Sequence, residues 1–123
     1  MSDNSIELTY RPDGQALRAL TGNAYPSVSR TIRFLELHTG ATRFERLANG
    51  VQFRIPTNAT TARAVHITMN DPDSYTIEFG TIRHNTFTPH PTLTHTDVTL
   101  QRLGPVFESV TGLTAYPNQE GTH

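Results

Sequence analysis

Two short segments with alternating apolar residues constrain the fold of this chain more than any other feature. Their apolar members are Val65, Ile67, Met69, Tyr75, Ile77 and Phe79. Alternation with a period of two residues is typical of half-buried strands. The connecting residues 70–74, Asn-Asp-Pro-Asp-Ser, are all turn formers. We therefore predict an antiparallel hairpin, symmetric about Pro72, with these apolar side chains on one face. The predicted pairs are Val65 with Phe79, Ile67 with Ile77, and Met69 with Tyr75.

The other face of this hairpin is polar. The same register places Thr68 opposite Thr76 and His66 opposite Glu78. Opposed pairs of this kind each contribute about 0.2–1 kcal/mol to stability. We interpret His66 as a surface partner of Glu78 rather than as a catalytic residue.

A helix is predicted near the end of the chain. Its apolar stripe has three- and four-residue spacing and consists of Leu100, Leu103, Phe107 and Val110. Gly112 is expected to end it. Thr94 or Thr96 is expected to cap its start, because residues 94–97 have the form of a capping box. Pro105 lacks a backbone N–H, so we expect either a kink or a short first turn followed by a second helix with Pro105 near its start.

The remaining segments are predicted more coarsely. Strands are expected over residues 6–10, 31–38 and 51–55. Asp13 is expected to cap a helical turn that ends at Gly22. Residues 84–96 are predicted to form an irregular edge segment or loop, and residues 116–123 a frayed tail.

These elements predict one α+β domain with a core over about residues 6–113. We expect a small antiparallel sheet of about four to five strands, with one main C-terminal helix packed on one face. A length of 123 residues fits a single domain. No apolar run is long enough to span a bilayer and no secretory signal is evident, so we expect a soluble, cytoplasmic protein without membrane partners.

Composition excludes several kinds of chemistry. The chain has no cysteine, which excludes disulfides, thiol catalysis and cysteine zinc sites. All ten basic residues are arginine, which excludes Schiff-base and P-loop lysine mechanisms. The lysine-free composition fits either exchange of Lys for Arg in a GC-rich genome or selection against lysine-directed modification. A net charge of −1 argues against a strongly basic nucleic-acid footprint.

Several short segments form a further pattern, and they are residues 39–41 with Phe44, 49–56, 78–83, Phe107 and 111–113. Together they resemble a family of short uncharacterised proteins of phages, prophages, plasmids and bacterial accessory regions. The resemblance covers roughly residues 15–115. The chain departs from the family pattern at 94–99, near 89–91 and at Gly104-Pro105. The family has no known activity, so the resemblance implies a genomic setting and supplies no catalytic residues.

The candidate site residues are drawn from two regions. His84, His90 and His95, with Asp97, form the one group of metal-ligand types, but their spacing matches no known metal motif. We therefore predict neither a metal nor another cofactor. No nucleophile-elbow motif supports a hydrolase. The candidate binding residues are Arg54, Arg63, His66, Glu78, Arg83, His84, His90 and His95.

Three functional hypotheses follow. The leading one is an accessory protein of a phage or mobile element that binds a host or phage protein, as a defence inhibitor or a minor virion component. The alternative is a nucleic-acid-binding module that uses Arg54, Arg63 and Arg83, although Glu78 on the same face would repel phosphate. A small metal-dependent enzyme that uses residues 84–97 is less favoured. A homo-oligomer through the polar sheet face is also compatible with the pattern.

Overall fold

The computed structural model of the protein describes residues 12–25 and 27–115. The elements, in chain order, are α1 (Pro12–Leu20), α2 (Val28–Thr39), β1 (Thr42–Leu47), β2 (Gly50–Arg54), β3 (Ala64–Asp71), β4 (Ser74–Arg83), β5 (Thr86–Pro89), a 3-10 turn (Pro91–Leu93), β6 (His95–Val98) and α3 (Leu100–Thr111). The predicted α+β class is confirmed, with a C-terminal helix packed on an antiparallel sheet. None of the described helices is long and apolar enough to span a membrane.

The strands form one antiparallel sheet in the order β1-β2-β3-β4-β5. Strand β6 also pairs with β4, so β5 and β6 follow one another along the same edge of that strand. Residues 84–96 are therefore not simply an irregular segment or loop, as predicted, because they include β5 and the start of β6. A two-residue turn at His84 and Asn85, with φ of 50° and 64°, leads into β5.

The register of the β3–β4 hairpin is confirmed. Val65 pairs with Phe79, Ile67 with Ile77 and Met69 with Tyr75. The turn is tighter than expected, because Asp71 pairs with Ser74 after an irregularity in the ladder. The backbone N–H of Asp73 donates to the Asp71 carboxylate at 2.9 Å, which stabilises the turn.

The core lies between one face of the sheet and helices α1 and α3. The ring of Phe107 on α3 lies 6.2 Å from that of Phe53 and 6.3 Å from that of Phe79. Tyr75 is fully buried, and its hydroxyl donates to Gln15 Oε1 on α1 at 3.0 Å. Burial raises the pKa of this hydroxyl. Buried aromatic rings thus fix both helices on the apolar face.

The predicted strand over residues 31–38 is wrong, because these residues form most of helix α2. Its buried residues, Thr31, Phe34, Leu35 and Thr39, have helical spacing. The Ser27 side chain accepts the N–H of Arg30 at 3.2 Å, which caps the start, and Gly40 ends the helix with φ of 77°. The predicted strand over residues 6–10 and the predicted tail over 116–123 lie outside the described residues.

The two helices that pack on the sheet also differ from prediction at their starts. Helix α1 begins at Pro12, so Asp13 lies inside its first turn rather than capping it. Helix α3 is preceded by Thr99, not by Thr94 or Thr96, because residues 95–98 are taken up by β6. It runs without interruption through Pro105 to the predicted end at Gly112, so the two-helix alternative is wrong.

Candidate functional site

The second face of the sheet carries polar and partly exposed side chains. We call this surface the open face. Its members project from β1 to β5, and those used below are Glu45, Gln52, Arg54, His66, Glu78, Ile82 and Phe87. Because successive side chains of a strand alternate between faces, the burial of Phe53, Ile67 and Phe79 on the core face places their polar neighbours here.

A line of polar side chains crosses four strands of the open face. Glu45, Gln52, His66 and Glu78 are directly opposed in the register of β1 to β4. Gln52 Nε2 donates to Glu45 Oε1 at 2.8 Å, and Gln52 Oε1 lies 2.8 Å from His66 Nε2. His66 Nδ1 lies 3.7 Å from Glu78 Oε1, which confirms the predicted pairing of His66 with Glu78. We call these four residues the polar row.

The polar row fixes the state of the His66 ring. Because Gln52 Nε2 donates to Glu45, Gln52 Oε1 must accept, so His66 Nε2 carries the proton. Burial lowers the pKa of His66 and outweighs the carboxylate of Glu78, which raises it. The neutral ring is therefore favoured. Both of its nitrogens face side chains of the sheet, so neither is placed for proton transfer to a ligand.

An aromatic stack supports His66 from the edge of the sheet. The ring of Phe87 on β5 lies 4.1 Å from that of His66 on β3, at an angle of 10°. The strand between them, β4, has Gly80 at this point of the open face. A Cβ atom at Gly80 would lie 2.0 Å from the carbonyl oxygen of Thr88, so only glycine allows β5 to pair this closely. Gly80 thus allows β5 to pair with β4, and its lack of a side chain leaves room for the rings of His66 and Phe87 to stack.

A cleft of about 330 Å³ lies at one end of the polar row. Its lining includes Arg43, Glu45, Gln52, Arg54, Ile82 and Asn85. Arg43 has a left-handed backbone, with φ of 56°, where the pairing of β1 with β2 is irregular between Thr42 and Glu45. Neither the Arg43 nor the Arg54 guanidinium has a hydrogen bond or ion pair within residues 12–25 and 27–115. We call this feature the arginine cleft.

Three of the predicted candidates lie together on the open face. These are Arg54, His66 and Glu78, which belong to the arginine cleft or to the polar row. Arg63 does not join them as a ligand group, because its Nη1 donates to the carbonyl oxygens of Thr60 and Ala62 at 3.1 and 2.7 Å. It stabilises the loop before β3.

The other predicted candidates are dispersed. Arg83 follows Ile82 at the end of β4 and points to the opposite side from it. His84 occupies the turn before β5, His90 precedes the 3-10 turn, and His95 begins β6. In the part of the chain that the structure describes, no group of three or more His, Asp or Glu side chains could hold a metal ion.

Sequence reasoning missed Arg43, Glu45, Gln52 and Phe87 as members of the site. Phe87 lies in residues 84–96, for which the sequence predicts an irregular edge segment or loop. The alternating run Thr86-Phe87-Thr88 behind a two-residue turn was the available signal. Nothing in the sequence indicated the backbone conformation of Arg43.

A second exposed surface lies on helix α2. It surrounds a cleft of about 350 Å³ formed by Tyr25, Arg30, Arg33, Phe34, Leu37 and His38. Leu37 is 73% exposed, and the His38 ring stacks on that of Phe34 at 4.1 Å. This surface is separate from the open face, because it lies at helix α2 and not on the sheet.

Comparisons with models of known protein families, with curated proteins and with solved structures found no match to this chain.

Proposed function

We propose that this chain is a small, non-enzymatic accessory protein of a phage or mobile element, and that it binds a host or phage protein through the open face. The observation that carries this proposal is the polar row, in which two hydrogen bonds hold Glu45, Gln52 and His66 in place on three strands and Glu78 lies opposite His66 on the fourth. Side chains that are already ordered lose little conformational entropy when a partner binds. The genomic setting rests on the sequence resemblance alone.

The chemical mixture on the open face supports a protein ligand. Arginine and aromatic side chains are enriched in protein interfaces, and Arg54, Phe87 and Ile82 lie here among neutral polar groups. The acidic side chains Glu45 and Glu78 at the two ends of the polar row add opposite charge. A surface with both signs of charge favours a partner of mixed charge.

Nucleic-acid binding is the second candidate, favoured by one observation. Arg43 and Arg54 share a cleft, and within the described ranges neither guanidinium is paired. Phosphate contacts by arginine dominate nucleic-acid affinity. Glu45 lines the same cleft and would repel phosphate, so we place this function behind protein binding.

A capture experiment with a charge-matched control tests the proposal. Wild-type protein, Arg54→Asp and Arg102→Asp are used as baits in host lysate, with and without nuclease. Arg102 is exposed on α3, which packs on the other face of the sheet. Circular dichroism checks that both variants are folded.

We expect a protein that wild type and Arg102→Asp retain after nuclease treatment and that Arg54→Asp loses. Recovery that disappears on nuclease treatment would put nucleic-acid binding in first place. Capture that is the same for all three baits would refute binding through the open face.

A further inference from the structure

We propose that the arginine cleft binds the carboxylate of an acidic side chain, held between Arg43 and Arg54. This inference rests on the proposed function, because the acidic side chain would belong to the partner protein. It goes further by assigning a ligand class to one defined part of the open face.

The first support is the backbone of Arg43. Its φ of 56° is uncommon for a residue other than glycine, and such conformations persist only where the surrounding structure imposes them. Here the imposing feature is the irregular pairing of β1 with β2 between Thr42 and Glu45. Bulges of this kind redirect a side chain, and this one brings Arg43 into the lining of the cleft.

The second support is the room beside Arg54. Arg54 and Arg43 line the same cleft, together with Gln52, Ile82 and Asn85. The cleft has a volume of about 330 Å³, which is large enough for an acidic side chain.

The third support is the charge of the lining. Arg43 and Arg54 supply two positive charges, and Glu45 supplies one negative charge. The net charge of +1 matches a carboxylate, whereas a phosphate monoester carries about −1.5 to −2 at neutral pH. Gln52 donates to Glu45 at 2.8 Å and so holds this carboxylate in place. Arginine also binds carboxylates through two parallel hydrogen bonds.

The test is a titration followed by NMR signals of the arginine Nε–H groups. The probes are N-acetyl-glutamate amide, its neutral isostere N-acetyl-glutamine amide, and inorganic phosphate. The proteins are wild type, Arg43→Gly, Arg54→Gln and the control Arg102→Gln. Arg43→Gly is suitable because glycine adopts positive φ freely, so loss of the side chain does not add backbone strain.

We expect saturable shifts at Arg43 and Arg54 with the glutamate probe and binding at least about tenfold weaker with the glutamine probe, since a charged group strengthens each hydrogen bond. Either cleft variant should abolish these shifts, and Arg102→Gln should retain them. Glu45→Gln should increase the affinity for phosphate relative to that for the glutamate probe.

Three results would overturn the inference. They are shifts that do not saturate, equal binding of the two isosteres, and tighter binding of phosphate than of the glutamate probe by wild type. The inference and the proposed function fail separately. If the probe does not bind but capture still depends on Arg54, only the carboxylate assignment is lost. If the probe binds but no captured protein depends on the open face, the site stands without the proposed function.

Discussion

Arg43→Gly should make the protein more stable while removing half of the arginine cleft. Arg43 has φ of 56°, and a left-handed conformation costs a residue with a side chain about 1–2 kcal/mol. Glycine avoids this cost, but its greater freedom in the unfolded chain offsets about 0.5–1 kcal/mol. The difference predicts a gain of roughly 0.5–1 kcal/mol in the free energy of unfolding.

Arg43→Ala separates the backbone from the side chain. Alanine removes the guanidinium but keeps the strain at the same φ. Because the guanidinium has no partner in the described part of the chain, its loss alone should change stability by less than about 0.5 kcal/mol. Urea denaturation followed by circular dichroism, at a fixed pH and salt concentration, gives the three free energies.

The reasoning is refuted if Arg43→Gly is less stable than Arg43→Ala. The left-handed backbone would then not be strained, and the unusual conformation would say nothing about function. A strained residue that stabilises nothing persists most readily where it is used, since activity and stability often conflict at binding sites. We expect Arg43→Gly to be more stable than wild type and to lose binding of the glutamate probe.

Three further outcomes are expected. Gly80→Ala should destabilise the fold by at least about 2 kcal/mol, because the added Cβ would lie 2.0 Å from the Thr88 carbonyl oxygen; equal stability of the two proteins in urea would contradict this. Phe107→Ala should cost about 3–5 kcal/mol, because the ring is fully buried between α3 and the sheet; a loss below about 1 kcal/mol would mean that the core closes around the site. The pKa of His66 is lowered by burial, so the free energy of unfolding should fall as pH drops through the ordinary histidine value of about 6.5 and level off below the lowered pKa. Removing the Glu78 charge by Glu78→Gln lowers that pKa further and should extend the fall to lower pH. Urea denaturation at a series of pH values gives the free energy of unfolding of each protein, and that of His66→Gln is subtracted at each pH. A difference that increases towards acid pH would contradict this prediction.

The β3–β4 hairpin was predictable because all of its determinants are local. Turn residues between Asn70 and Ser74 set the reversal, and the alternating apolar residues on each side then admit one register with a buried face. A shift by one residue would have exposed Ile67 and Ile77. The end of α3 was predictable for a similar reason, because Gly112 accommodates the left-handed residue that closes a helix.

The sequence of helix α2 fits both a strand pattern and a helix pattern. Thr31 and Ile32 favour a strand through their branched Cβ atoms, and alternation holds for a few residues. The break in alternation between Phe34 and Leu35 is the i, i+3, i+4 spacing of Thr31, Phe34 and Leu35 on one helix face. The sequence signals that distinguish the helix from a strand are its two caps, Ser27 before the segment and Gly40 after it.

The candidate site was less predictable than the fold because it depends on pairing between separate segments. Half of the polar row, His66 and Glu78, follows from one hairpin. The other half requires the β1–β2 hairpin, in which Leu47 pairs with Gly50 across a two-residue turn. Once that turn is placed at residues 48–49, Glu45 falls opposite Gln52, and Gln52 reaches His66 only through the further pairing of β2 with β3. The arginine cleft also depends on the irregular pairing of β1 with β2 at Arg43, which no local sequence pattern indicates. A surface built from four strands is specified by the order of the strands, so a partner that recognises the open face recognises the assembled sheet rather than a linear segment.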